Sequence, residues 1–159
     1  MKKFSNMDNN ASAAYDLDLF FTDPLWGKVH LATAGGHVRD EIFNDPQHVE
    51  TKMNLRKSTC TADYDYLVNP NLDRILRLED REFDFKKFDK DMYLRDFIFY
   101  AKKGYFSFDK TYINNPLDFH YHIVAYPVLS ANSLNDHQLE KDEIIHKAFA
   151  EPVEMDILK

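Results

Sequence analysis

The sequence predicts an α+β fold, a single compact domain with a mainly antiparallel sheet, and three observations carry that expectation. Period-two alternation marks strands near both ends of the chain. A long amphipathic, aromatic-rich helix occupies the middle. The elements run strands, helices, strands, helix, which is not the regular βαβ alternation of a parallel sheet. The 159 residues suit one domain, so 1–12 is expected to be a flexible N-terminal tail and 13–159 the domain.

Taken in order, Tyr15, Leu17 and Leu19 alternate with Asp16 and Asp18, the pattern of a half-buried strand. Asp23-Pro24-Leu25-Trp26-Gly27 follows. Proline presets φ there and glycine admits positive φ, so the stretch reads as a turn. Lys28 to Thr33 alternates again and closes an N-terminal hairpin. Asp45-Pro46 and Asn69-Pro70 each place a capping side chain before a proline, a helix-start device. Val49 and Met53 form the expected inner stripe after the first, and Leu72, Ile75 and Leu76 after the second. The stretch between, through Cys60 and Tyr64-Asp65-Tyr66, is ambiguous between strand and loop.

The strongest helix is expected over about 84–103. Its acidic residues Asp84, Asp89 and Asp91 load the first half, Lys102-Lys103 the last turn, and Gly104 can close it in the left-handed conformation. Tyr93, Leu94, Phe97, Ile98, Tyr100 and Ala101 fall on one arc of about 160°, wide enough to pack on more than one side. Strands follow near 105–109 and 117–128, separated by an Asn114-Asn115-Pro116 turn. In the second, Phe119, Tyr121, Ile123 and Ala125 share the expected core face, and helix residues Tyr93, Phe97, Ile98 and Ala101 should pack against it. A C-terminal helix is expected after the Asn135 cap, with Gln138 at capping-box spacing and Leu134, Ile145, Ala148 and Phe149 inward.

Composition excludes several classes. The net charge is −7, from 20 basic and 27 acidic residues; this disfavours a sequence-independent grip on nucleic acid, which needs clustered Lys and Arg. No apolar run approaches the ~20 residues of a membrane span, and the Lys2-Lys3 start lacks the apolar stretch of a secretory signal. The single Cys60 cannot form an internal disulfide, which favours a cytoplasmic location. No cofactor motif stands out: there is no phosphate loop and no dinucleotide fingerprint.

Four candidate sites emerge. Asp118, His120 and His122 lie on one strand face, about 7 Å apart from one to the next, where two imidazoles and a carboxylate can form an acid–base or metal group. The simpler reading is the solvated face of a half-exposed strand. His30 joins them if the hairpin lies alongside. Gly35-Gly36-His37 can form a small anion nest or a plain strand-exit turn. Cys60, just after Arg56-Lys57, is either an activated thiol or an ordinary small residue. Trp26 sits in the hairpin turn, either folded over the core or offered to a partner.

Residues 111–159 hold 8 acidic and 3 basic groups. Within them Asp136, Glu140 and Glu143 recur at i, i+4 and i+7 and would stack along one helical stripe. The expectation is an acidic, non-enzymatic interaction protein of the cytoplasm. Its partner is a basic protein, as for an immunity or antidote protein against a toxin, bound through Asp136, Glu140, Glu143 and Trp26. The alternative is a small hydrolase or metal-dependent enzyme built on Asp118, His120, His122 and His30. A third is a self-assembling structural protein joined through a sheet edge.

Overall fold

The computed structural model describes residues 16–58, 63–78, 88–128 and 146–159; the expected tail lies outside them. A hairpin opens the fold, β1 (Asp18–Asp23) and β2 (Gly27–Ala32). Its turn is held by Asp23, whose Oδ1 accepts the N–H groups of Leu25 and Trp26 at 2.7 and 3.1 Å, with Gly27 at φ +76°. Two helices follow, α1 (Asp40–Phe43) and α2 (Gln47–Lys57), then β3 (Tyr66–Val68) and α3 (Leu72–Leu76). The long helix α4 (Lys90–Lys102) leads into β4 (Phe106–Lys110), β5 (His120–Pro127), the short β6 (Val153–Glu154) and a final 3₁₀ turn. Residues 146–150 are helical. No helix among the described residues is long and apolar enough to cross a membrane.

The sheet order is β1-β2-β4-β5-β3, with β6 also on β5. The β2–β4 pairing is parallel and the other four are antiparallel, so the mixed sheet is the expected α+β type. The parallel pair needs a crossover, and the whole run of α1, α2, β3, α3 and α4 supplies it.

Asp89 starts α4 by accepting the Met92 N–H at 3.0 Å, later than the expected start near 84. Gly104, at φ +92°, ends it as expected. Leu72, Ile75 and Leu76 of α3 are buried. Val49 and Met53 of α2 are not: they are 62% and 50% exposed. The residues that attach α2 are instead His48, Lys52 and the exposed Arg56, also four apart. His48 accepts a β1 N–H, and Lys52 and Arg56 pair with Asp18 and Asp96. α2 docks through hydrogen bonds and charge rather than apolar area.

Both faces of the sheet are covered, which corrects the half-exposed reading of the 117–128 strand. On one face Val29, Leu31, Phe106, Phe108, Tyr121 and Ile123 pack with Trp26, Val38, Ala148, Met155 and Leu158. On the other, Leu94, Phe97 and Ala101 of α4 and Leu72 and Leu76 of α3 pack on Ala32, Val124 and Ala125. The central helix therefore lies on the histidine face of β5, not on the Phe119–Tyr121–Ile123 face. A bulge adds to the difference. Ser107 opposes Ala125 while Phe108 opposes Ile123, so Val124 is the extra residue and the alternation inverts beyond it. Ala125 turns toward α4, and Tyr126 turns to stack on Phe106, with centroids 5.9 Å apart and an interplanar angle of 14°.

Candidate functional site

A polar layer lies between α4 and the sheet. The alternation that buries Val29 and Leu31 on one face sends His30 to the other, and Phe106 and Phe108 likewise leave Ser107 and Asp109 beneath the helix. His30 is 1% exposed. Its Nε2 lies 2.8 Å from Asp18 Oδ1 and its Nδ1 2.5 Å from Ser107 Oγ. A carboxylate can only accept, so Nε2 carries the proton and Nδ1 accepts from the Ser107 hydroxyl. Lys52 closes the chain on the second Asp18 oxygen. Burial works to raise the Asp18 pKa, but His30 and Lys52 outweigh it and hold the carboxyl at about 2. Burial lowers the His30 pKa, against the pull of Asp18. At neutral pH the charges here are Asp18 and Lys52, with a neutral imidazole between carboxylate and hydroxyl.

This is the order of a serine–histidine–aspartate relay, but access is missing. Tyr100 lies 4.1 Å from the His30 ring, with Phe97 and Phe20 at 5.9 and 5.3 Å, and Ser107 is fully buried. A nucleophile must reach its substrate within a few ångström. The arrangement positions β1, β2 and β4 beneath α4.

His122 forms a second chain on the same layer. Its Nδ1 is 3.0 Å from Thr111 Oγ1, its Nε2 3.3 Å from the Tyr93 hydroxyl, and that hydroxyl donates to Asp109 Oδ2 at 2.7 Å. Asp109 and His122 face each other directly across β4 and β5. His120 pairs instead with Asp118, 3.1 Å away at the rim of the sheet. The three histidines of the expected cluster thus have separate partners: His30 meets Asp18, His120 meets Asp118, and His122 meets the hydroxyls of Thr111 and Tyr93, the latter bonded to Asp109. His30 and His122 are two strands apart, about 10 Å at the usual spacing. No group of three His, Cys, Asp or Glu side chains suited to a metal forms among the described residues. The partners Asp18, Ser107, Asp109, Thr111 and Tyr93 escaped the sequence reading as site residues; for Ser107 and Asp109 the signal was the polar half of the β4 alternation.

The Gly35-Gly36-His37 segment is a strand-exit turn rather than an anion nest. Ala34 and Gly35 take φ +43° and +75°. The N–H groups of Ala34, Gly36 and His37 donate to Asp16, Thr33 and Pro116 at 2.9, 2.7 and 2.8 Å. Buried Lys110 fills the space beneath Gly36, donating to the Asp118 carbonyl and lying 5.5 Å from the Tyr121 ring centre.

Trp26 is folded back over the core, 8% exposed, with Phe106 and Phe108 at 5.3 and 5.5 Å. Its remaining edge lines a cavity of about 220 Å³ with Lys147, Glu151 and Val153. A larger cleft, about 310 Å³, opens between β1 and the α1–α2 junction. Asp136, Glu140, Glu143 and Cys60 lie outside the described residues. Comparison of the chain with family models, with curated proteins and with solved structures gives no match.

Proposed function

We propose that this chain works by binding another protein, an acidic cytoplasmic partner of a basic protein in the manner of an immunity or antidote protein. One observation supports the reading: His30 and His122 are buried under α4, 1% and 0% exposed, and engaged in internal hydrogen bonds. Acid–base chemistry needs a titrating group within reach of a reacting atom, and the burial of His30 and His122 speaks against that role for these two. The charge of −7 supplies the complementary half, since an acidic surface steers a basic partner and speeds encounter.

The test is capture on the immobilised chain from the native cytosol, at low and at high salt. A basic protein retained at low salt and released at high salt is the expected result. The combined variant Asp136→Lys, Glu140→Lys and Glu143→Lys should slow its association. If nothing is retained at either salt, and the free chain cleaves an ester or phosphoester in a manner abolished by His120→Ala, the enzyme reading replaces this one. Self-association in light scattering, without a foreign partner, would favour the assembling alternative.

A further inference from the structure

The outer edge of β1 is open at one end. Odd-numbered residues of the strand face β2, as the Thr33 N–H to Leu17 carbonyl bond of 2.9 Å fixes, so Asp18, Phe20 and Thr22 turn their main-chain groups outward. α2 covers the first part of this edge. The Phe20 N–H donates to His48 Nδ1 at 3.0 Å, and Lys52 reaches Asp18. Beyond His48 the cover ends: Thr22 is exposed, and its main-chain N–H and C=O have no partner among the described residues.

The cleft of about 310 Å³ begins at this point. Phe21, Ile42, Ile157 and Leu158 give it apolar walls, and Asp45 and His48 its polar rim. That volume is at the low end of the range for ligand pockets, roughly 300–1,000 Å³, and suits a few side chains of a short strand. Asp45 uses Oδ1 to cap the Gln47 N–H at 2.9 Å and forms no ion pair among the described residues. Asp23, at the end of β1, forms none either. His48 accepts the Phe20 N–H and is neutral, because burial lowers its pKa against the opposing pull of Asp45. Asp45 is therefore a rim carboxylate with no ion-pair partner among the described residues.

We propose that this cleft docks an extended segment of the partner protein bearing Lys or Arg, added as a strand to β1 at Thr22. Main-chain bonds to Thr22 would hold the segment, alternate apolar side chains would fill the cleft, and a cation would meet Asp45. A second copy of this chain fits poorly. α2 covers the β1 edge at Asp18 and Phe20, which leaves two copies no length of free edge to pair along. The inference rests on the binding function above and gives it a location.

The probe is a seven-residue peptide alternating lysine and valine, with a glutamate–valine peptide as its counterpart. Amide exchange at Thr22, followed by NMR, should slow with the lysine peptide and not with the glutamate peptide. Asp45→Asn keeps the cap and removes the charge, and should weaken the lysine peptide about two- to fivefold, the scale of an exposed charge pair. Unchanged exchange at millimolar lysine peptide, or equal protection by the glutamate peptide, overturns the proposal. Thr22→Pro removes only an outward N–H, which an edge strand tolerates, and circular dichroism checks its fold. If a captured partner binds Thr22→Pro as tightly as the parent chain, this location is wrong while the binding function stands. If the peptide protects Thr22 but the cytosol yields no partner, the docking edge stands and the binding function loses its support.

Discussion

Asp18 ties β1 to two other elements through one carboxylate, β2 through His30 and α2 through Lys52. Removing the imidazole with His30→Ala leaves a buried carboxylate oxygen and the Ser107 hydroxyl without their partner and opens a cavity beneath Tyr100. Each of these three losses costs about 1–3 kcal/mol, so a drop of at least about 3 kcal/mol in denaturant stability is expected. A loss under about 1 kcal/mol would mean the pair contributes little. The pH dependence follows from two depressed values. His30 and His48 lie below 6.5 in the folded chain, so the unfolded chain binds more protons as pH falls through 6.5. Their contribution is complete above that value and erodes below it. Asp18, moved from 3.8 to about 2, adds stability above pH 3.8 that disappears toward pH 2. Denaturation midpoints should therefore fall from pH 7.5 to 5.5, with the His30 ring titrating below 6.5 by NMR; a midpoint that rises on acidification contradicts the assignment. At Gly36 the constraint is space. A Cβ would stand 2.9 Å from the Thr33 carbonyl, 3.0 Å from Lys110 Cδ and 3.1 Å from the Tyr121 hydroxyl, so Gly36→Ala should destabilise by about 1–3 kcal/mol, read from the same denaturation curves.

Among the elements, α2 and α4, the two longest helices among the described residues, use opposite means of attachment, and substitution should separate them. Phe97 of α4 is buried against the sheet beside Tyr93 and His30, and Phe97→Ala should cost about 3–5 kcal/mol. On α2, Val49→Lys and Met53→Lys should each stay within about 0.5 kcal/mol, as surface changes do. A large loss at Met53 in chemical denaturation would restore the apolar stripe that the sequence predicts. Period and caps made most elements legible. The hairpin, α3, the end of α4 at Gly104 and the strand holding Tyr121 and Ile123 all lie close to their expected places. What failed was facing. Val49 and Met53 satisfy helical spacing, yet so do His48, Lys52 and Arg56, and only the position of β1 decides which set attaches the helix. The bulge at Val124 left no local mark in a run of apolar residues, so the exchange of Ala125 and Tyr126 between faces was not readable from alternation.

For the whole molecule, the covering of both sheet faces explains why the candidate site changed character. A strand carrying histidines at alternate positions reads as half-solvated when one covering layer is assumed; with α4 on that face, His122 becomes interior and meets the Tyr93 and Thr111 hydroxyls, as His30 on β2 meets Asp18 and Ser107, while His120 stays partly exposed at the rim beside Asp118. His30 with Ser107, and His122 with Tyr93, are long-range pairs, and no spacing rule on a single segment reveals them. The same arrangement predicts how the fold responds to loss of metal. A structural ion needs about four ligands converging within little more than 2 Å of one point. The sheet instead separates His30 from His122 by two strands, and His120 turns to Asp118 at the rim. Cohesion comes from two aromatic-rich cores, one on each face of the sheet. Melting of the purified chain with and without a strong chelator should give the same midpoint, because no ligand would be stripped from the native state alone. A downward shift of several degrees on chelation, restored by adding back one divalent metal, would show that an ion binds the folded chain and that the rim pair Asp118–His120 has further ligands.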